Sequence, residues 1–166
     1  MELAVIIIGV AGSAASIIGA ILSLQAAKKA KSAAEQAESA KNLIIRKQKT
    51  TNLAEILFEA KRVQKIFGKY STAQSNRSLA GVEFAKDSET LQDYVFNFNE
   101  NRQLIEETTD IETQAVYDEL NKLMKSFSEA KAVGDKKEFG NQVRLAIDDI
   151  IFKIRKEIDY RNSAIE

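Results

Sequence analysis

The stretch that decides the fold is residues 3–24, LAVIIIGVAGSAASIIGAILSL. It carries no charged side chain over 22 residues. As a helix it would span roughly 33 Å, enough for the ~30 Å hydrocarbon core of a bilayer. Its Leu, Ile and Val residues each favour insertion by ~0.3–0.6 kcal/mol, which outweighs the glycines and serines between them. The sequence therefore predicts a single transmembrane helix within residues 1–27. A cleaved secretory signal would need a basic start, an apolar core of about 7–15 residues and a small-x-small cleavage site. Met1-Glu2 supplies no base, and the polar flank begins only at Gln25. Lys28, Lys29 and Lys31 follow the span and only Glu2 precedes it. The positive-inside bias then puts the N-terminus outside an inner (plasma) membrane and the rest of the chain in the cytoplasm. The lipid bilayer is the first expected partner.

Small residues follow a register in this stretch and beyond it. Stepping 3, 4, 3, 4 from Gly9 meets Gly12, Ser16, Gly19, Ser23, Ala26, Ala30, Ala33, Ala37 and Ala40. Ser13, Ala20, Ala27 and Ala34 form a second small row beside it. Lipid tails give helices no hydrophobic reason to associate, so close backbone approach across small residues does the work. A sustained 3.5-residue repeat implies a left-handed supercoil. The other faces change from Ile and Leu to Lys, Glu and Gln past the membrane, while the small row continues unbroken. Residues 28–50 therefore read as a small-residue-rich helical stalk, and the chain as a homo-oligomer of parallel helices. A dimer would use Gly9, Gly12, Ser16, Gly19 and Ser23 for packing. A ring could instead line a lumen with them and with Ser13.

Residues 51–166 read as a cytosolic helical bundle, which makes the fold class all-α. Asn52 and Glu55 have capping-box spacing. Leu53, Ile56, Leu57, Ala60, Val63 and Phe67 then recur at helical intervals, with Gly68 as the expected stop. Residues 70–81 are rich in Ser, Asn and Gly and predict a loop. A helix is expected from about Asp87, with Leu91, Val95 and Phe98 on one face. Another is expected from about Asp110, with Val116, Leu120, Leu123 and Phe127. Gly134-Asp135 predicts a break, and Asp135 with Glu138 a second capping box. The final helix would bury Phe139, Val143, Ala146, Ile147, Ile150, Ile151, Ile154 and Ile158 at the bundle centre.

Composition narrows the chemistry. The 166 residues include no His, Cys, Pro or Trp. Without Cys there are no disulfides, thiolate metal sites or thiol nucleophiles. Without His there is no Ser-His-Asp triad, and the commonest general base and metal ligand are missing. An ordinary metallo- or triad hydrolase is thereby nearly excluded; carboxylate-only catalysis stays open with nothing pointing to it, and the expectation is no enzyme, no metal and no cofactor. The lack of Pro suits long uninterrupted helices. Asp148-Asp149 and Glu157 with Asp159 do not face one another at helical spacing, so they read as helix surface. Tyr94, Phe96 and Phe98 read as core before they read as a stacking platform.

The formal net charge of zero hides a segregation. Between Lys28 and Lys49, seven bases face only Glu35 and Glu38, a net of +5. Between Asp87 and Glu119, ten acids face only Arg102, a net of −9. Such blocks serve as solvated faces or as complementary surfaces between subunits. Lys61, Arg62 and Lys65 make a smaller basic patch that could touch RNA or lipid headgroups, although a solvated face is the simpler reading.

The chain closes Arg161-Asn162-Ser163-Ala164-Ile165-Glu166, on or just after its long apolar helix. This resembles the late Arg-Asn-x-x-x-His motif of HEPN-domain ribonucleases, which are all-α bundles. Arg161 and Asn162 match the start of the motif, and Glu166 stands where the family has His. The resemblance implies a composite RNA-cleaving site between two subunits. A carboxylate in place of imidazole departs from it, because its pKa is far lower. With its N-terminal membrane helix, the layout resembles the small divergent HEPN-like accessory proteins of RNA-targeting type VI-B CRISPR systems. That family implies a ring-forming membrane pore that enhances antiphage defence and is coupled functionally to an RNA-guided effector. Direct RNA binding stays open.

Three functions follow as expectations. The first is an oligomeric membrane pore or membrane-perturbing effector gated by the cytosolic domain. The second is a non-conducting coiled-coil scaffold anchored in the membrane. The third, disfavoured by the missing His, is a membrane-tethered HEPN-type ribonuclease.

Overall fold

A computed structural model describes residues 2–163, with side chains at residue 20 and from residue 22 onward. Every regular element among the described residues is helical. The helices are α1 (Glu2–Thr72), α2 (Phe84–Glu100), α3 (Arg102–Thr108), α4 (Thr113–Glu129) and α5 (Val133–Ser163), with a 3-10 turn at Asn76–Leu79. Contacts divide the chain into two units, Met1–Arg46 and Lys47–Glu166, and the division falls inside α1.

In the first unit, residues 25–41 read QAAKKAKSAAEQAESAK, a run of strong helix formers. That composition accounts for helix without tertiary support. Every residue from Leu22 to Arg46 is exposed, including the large apolar side chains of Leu22, Leu24 and Ile44. Among the described residues no helix is long and apolar enough to cross a membrane. Of the span expected at residues 3–24, all but Ala20, Leu22, Ser23 and Leu24 lie outside the described side chains.

The second unit is a helical bundle with one continuous core. The apolar row of α1 begins as the spacing predicts, at Leu53, Ile56, Leu57, Ala60, Val63 and Phe67, and all six are buried. Neither expected boundary occurs. The helix runs through Asn52 without starting there, and the Thr51 hydroxyl donates back to the Lys47 carbonyl. It also runs through Gly68 as far as Thr72. The physical reason is Tyr70, which extends the apolar row by one turn and is fully buried. Burial of a large side chain outweighs the ~1 kcal/mol helix penalty of one glycine.

Tyr70 belongs to an aromatic cluster. Its ring centroid lies 5.3 Å from Phe67 and 5.3 Å from Phe127, and Phe67 and Phe127 are themselves 5.3 Å apart. Helix α5 carries Gly140 against the face of Tyr70. A Cβ at that position would fall 2.4 Å from the ring's Cγ. Further along, Gln64 of α1 donates to Asp148 of α5 at 2.5 Å. These two contacts pair α1 with α5 in opposite directions.

The remaining helices close over this pair. Leu91, Val95 and Phe98 of α2 and Leu120, Leu123 and Phe127 of α4 are buried, on the faces the spacing predicts. Helix α2 begins at Phe84, a few residues before the expected start. The seven-residue α3 is too short to show a helical period in the sequence. It tucks Ile105 and Thr108 inward between α2 and α4. Helix α5 begins at Val133 rather than at a cap on Asp135, because the Lys136 amide already bonds the Ala132 carbonyl. Asp135 sits in that first turn, where a negative charge suits the helix dipole. Lys136 reaches back to the Phe127 and Ser128 carbonyls at the end of α4, with its ammonium 4.8 Å from the Phe127 ring centroid. It thereby satisfies helix-end acceptors that α4 cannot. Burial there holds the ammonium below the usual lysine pKa.

Candidate functional site

Part of the small-residue row can be placed. Ser23, Ala26, Ala30, Ala33, Ala37 and Ala40 lie on α1 in the first unit, and all are exposed. Gly9, Gly12, Ser13, Ser16 and Gly19 lie outside the described side chains. The described portion therefore presents a ladder of small side chains with nothing of its own unit packed on it.

The C-terminal motif has a local role. Arg161 donates through Nε to Glu157, one helical turn back, at 2.6 Å. Asn162 is exposed and lies on the same last turn of α5, and Glu166 lies outside the described residues. Of the carboxylates considered as acid-base candidates, Asp148, Asp149 and Glu157 form ion pairs within α5, Asp148 also accepts from Gln64 of α1, and Asp159 is exposed. Asp148 takes Arg144 at 2.7 Å, and Asp149 takes Lys153 at 2.8 Å. Among the described residues no cluster of three carboxylates could hold a metal.

The polar arrangement with the most structure around it was not anticipated. Asp87, in the first turn of α2, is buried. Its carboxylate accepts from the Tyr70 hydroxyl and from the Lys69 ammonium, with Lys69 Nζ at 2.9 and 2.6 Å from its two oxygens. Neighbouring residues of α1 thus clamp one carboxylate of α2 between a phenol and an ammonium. Burial, reinforced by the Asp87 hydrogen bond and charge, pushes the Tyr70 phenol above its ordinary range. Burial alone raises Tyr94, whose hydroxyl has no hydrogen-bond partner among the described residues. Asp87 is indistinguishable in sequence from its nine acidic neighbours in the −9 block. Its distinguishing feature is the long-range partner Tyr70, which lay in the segment read as a loop.

The two phenols give a pH dependence with a definite sign. Their folded values are raised, so their contribution is fully present below the unfolded phenol value of about 10 and is lost as pH rises above it. Each should take away up to about 1.4 kcal/mol per pH unit in that range. Urea unfolding midpoints between pH 8 and pH 11 measure the slope. Tyr94→Phe should flatten it by one phenol's share and also stabilise the fold by ~1 kcal/mol, because it removes an unpaired hydroxyl. An unchanged slope in that variant would contradict the assignment.

The aromatic segment of α2 divides as the residue types suggested. Tyr94 and Phe98 are core, while Phe96 is exposed, so the three do not form one stacking surface. Compared with protein-family models, with curated proteins and with solved structures, the chain matches none.

Proposed function

We propose that the chain is a single-pass membrane protein, N-terminus outside, that self-assembles through its small-residue row into a pore or membrane-perturbing effector gated by the cytosolic bundle. One observation carries the reading. The row from Ser23 to Ala40 is exposed along its described length, and its register continues that of the uncharged stretch at residues 3–24. A ladder of small residues lets a like helix approach closely on both sides of a lipid–water boundary. The bundle folds around its own core, so it can act as a body that moves relative to other copies and opens or closes a lumen. The resemblance carried by Arg161 and Asn162 adds antiphage defence, with functional coupling to an RNA-guided effector, as the biological setting.

Gly12→Leu or Ser16→Leu tests the assembly. Each puts a large side chain where backbones are expected to meet. A packing loss of about 1–2 kcal/mol should lower association roughly tenfold. Chemical crosslinking in detergent should then show the oligomer ladder collapsing. Ladders that persist unchanged in both variants would rule the row out as the interface. Native mass measurement of the complex and dye release from liposomes separate the two uses of an assembly. A ring of six or more that leaks dye supports the pore. A dimer that leaves liposomes sealed supports a coiled-coil scaffold.

The ribonuclease reading would need Arg161 free of Glu157 and a general base that the chain does not supply as His. RNA cleavage by purified protein, lost on Arg161→Ala, would restore it.

A further inference from the structure

Between α1 and α2 lies a groove of about 710 Å³. Arg62, Lys65 and Lys69 border it from α1, at the three- and four-residue spacing that puts side chains on one helix face. Lys86 and Asp87 border it from α2, with Glu83 just before that helix. Asp87 is already neutralised by Lys69 and takes the Tyr70 proton donor. Arg62 has a long 3.4 Å contact with Glu59, and both of those side chains face solvent to a large degree. Lys65 and Lys86 are exposed, and neither has an ion-pair partner among the described residues. The lining therefore carries Arg62, Lys65, Lys69 and Lys86 against Glu83 and Asp87, an excess of two positive charges. Two other grooves among the described residues are bordered by acids instead. One is lined by Glu119 and Asp149, the other by Glu55 and Glu59.

We propose that this groove binds a small phosphate ester, with Lys65 and Lys86 as the principal anion ligands and Lys69 as a fixed donor at its floor. The volume lies within the range of small-ligand sites. An ammonium carries three donors, and the two Asp87 oxygens take at most two of those on Lys69. Asp87 and Tyr70 thereby hold the Lys69 head in place instead of leaving it to search solvent. Ammonium groups suit phosphate as point charges, and charge-assisted hydrogen bonds are the strong kind. Ile66 and Val82 also border the groove and give the organic part of an ester an apolar contact. Thr90 also borders the groove, but its hydroxyl donates to the Lys86 carbonyl at 2.9 Å and is not a free anion donor. The proposal does not depend on the membrane reading, because all its residues belong to the second unit.

The same chemistry could come from a free nucleotide or from a lipid headgroup. Full-length protein in neutral detergent is titrated with ATP, with inorganic pyrophosphate and with dihexanoyl phosphatidylglycerol, using the phosphatidylcholine analogue as a control. Binding of ATP or pyrophosphate identifies a free phosphate source. Binding of the glycerol lipid alone identifies a headgroup. Lys65→Gln and Lys86→Gln should each weaken whichever ligand binds by about tenfold. Lys61→Gln, on α1 but outside the groove, should leave it unchanged. In the wild-type protein, acylation of Lys65 and Lys86 by an amine-reactive probe should slow when ligand is present, a readout that needs no variant to fold. The proposal is overturned if none of the three ligands binds at millimolar concentration. It is equally overturned if Lys61→Gln weakens binding as much as the groove variants, or if only a single-stranded RNA oligonucleotide binds.

Discussion

Phe67→Ala should destabilise the bundle by about 4 kcal/mol, the usual cost of emptying a fully buried aromatic site. In a unit of this size that is roughly a 15 °C fall in Tm. Phe67 is fully buried and contacts both Tyr70 and Phe127, each with its ring centroid 5.3 Å away. The three rings come from two helices, and their tilted and edge-on contacts add to simple area burial. Truncation removes one corner of that triangle and leaves a cavity beside the other two rings. Tyr70 cannot swing into it without giving up its bond to Asp87. A site that cannot collapse sits toward the costly end of the range. Thermal unfolding followed by near-UV circular dichroism reads the cluster directly. Phe58→Ala is the matched control, since Phe58 lies on the same helix but is 67% exposed, and it should shift stability by less than about 0.5 kcal/mol. Equal effects from the two variants would mean that the aromatic cluster is not the centre of the core.

Gly140→Ala should also destabilise, against the general expectation for a glycine inside a helix. Alanine would ordinarily gain about 1 kcal/mol at such a position. Here its methyl would lie 2.4 Å from Cγ and 2.6 Å from Cδ2 of Tyr70. Those atoms sit near the root of a buried side chain whose far end is hydrogen-bonded, so the ring cannot yield cheaply. Overpacking costs about 1–3 kcal/mol, and this contact is close enough to reach or pass the upper figure. The net loss should be about 2 kcal/mol. Gly68→Ala offers the contrast, because a Cβ there meets nothing within 4 Å and should be stabilising. Urea midpoints of the two variants should therefore move in opposite directions. If both rise, Gly140 does not carry the α1–α5 contact.

The all-helical class was readable from sequence, and so were the buried faces of α1, α2, α4 and α5. Apolar residues at Leu53 through Phe67 and at Val143 through Ile154 repeat at the helical period, and tertiary packing uses the same period. The boundaries were not readable. Asn52, Gly68 and Gly134-Asp135 carry genuine local stop and start chemistry, but those preferences are worth about 1 kcal/mol each and burial outweighs them. Tyr70 was hidden for the same reason, followed as it is by a polar Ser, Asn and Gly-rich segment that does form the loop. Asp87 could not be singled out among the acids of its block, since its identity as a buried acceptor depends on a residue 17 positions away. The basic patch was half visible. Arg62 and Lys65 line the groove and Lys61 does not, although it lies one turn before Lys65, and Lys86 enters only through the folding of α2 beside α1.

The exposed run from Leu22 to Arg46 has a consequence of a different kind. It buries nothing against its own unit, so whatever order it gains beyond helix propensity must come by mass action from molecules outside that unit. Its ordered fraction is then a function of how many copies, or how much binding surface, the cell provides. The bundle encloses its own core, whereas the first unit has no such enclosure to draw on.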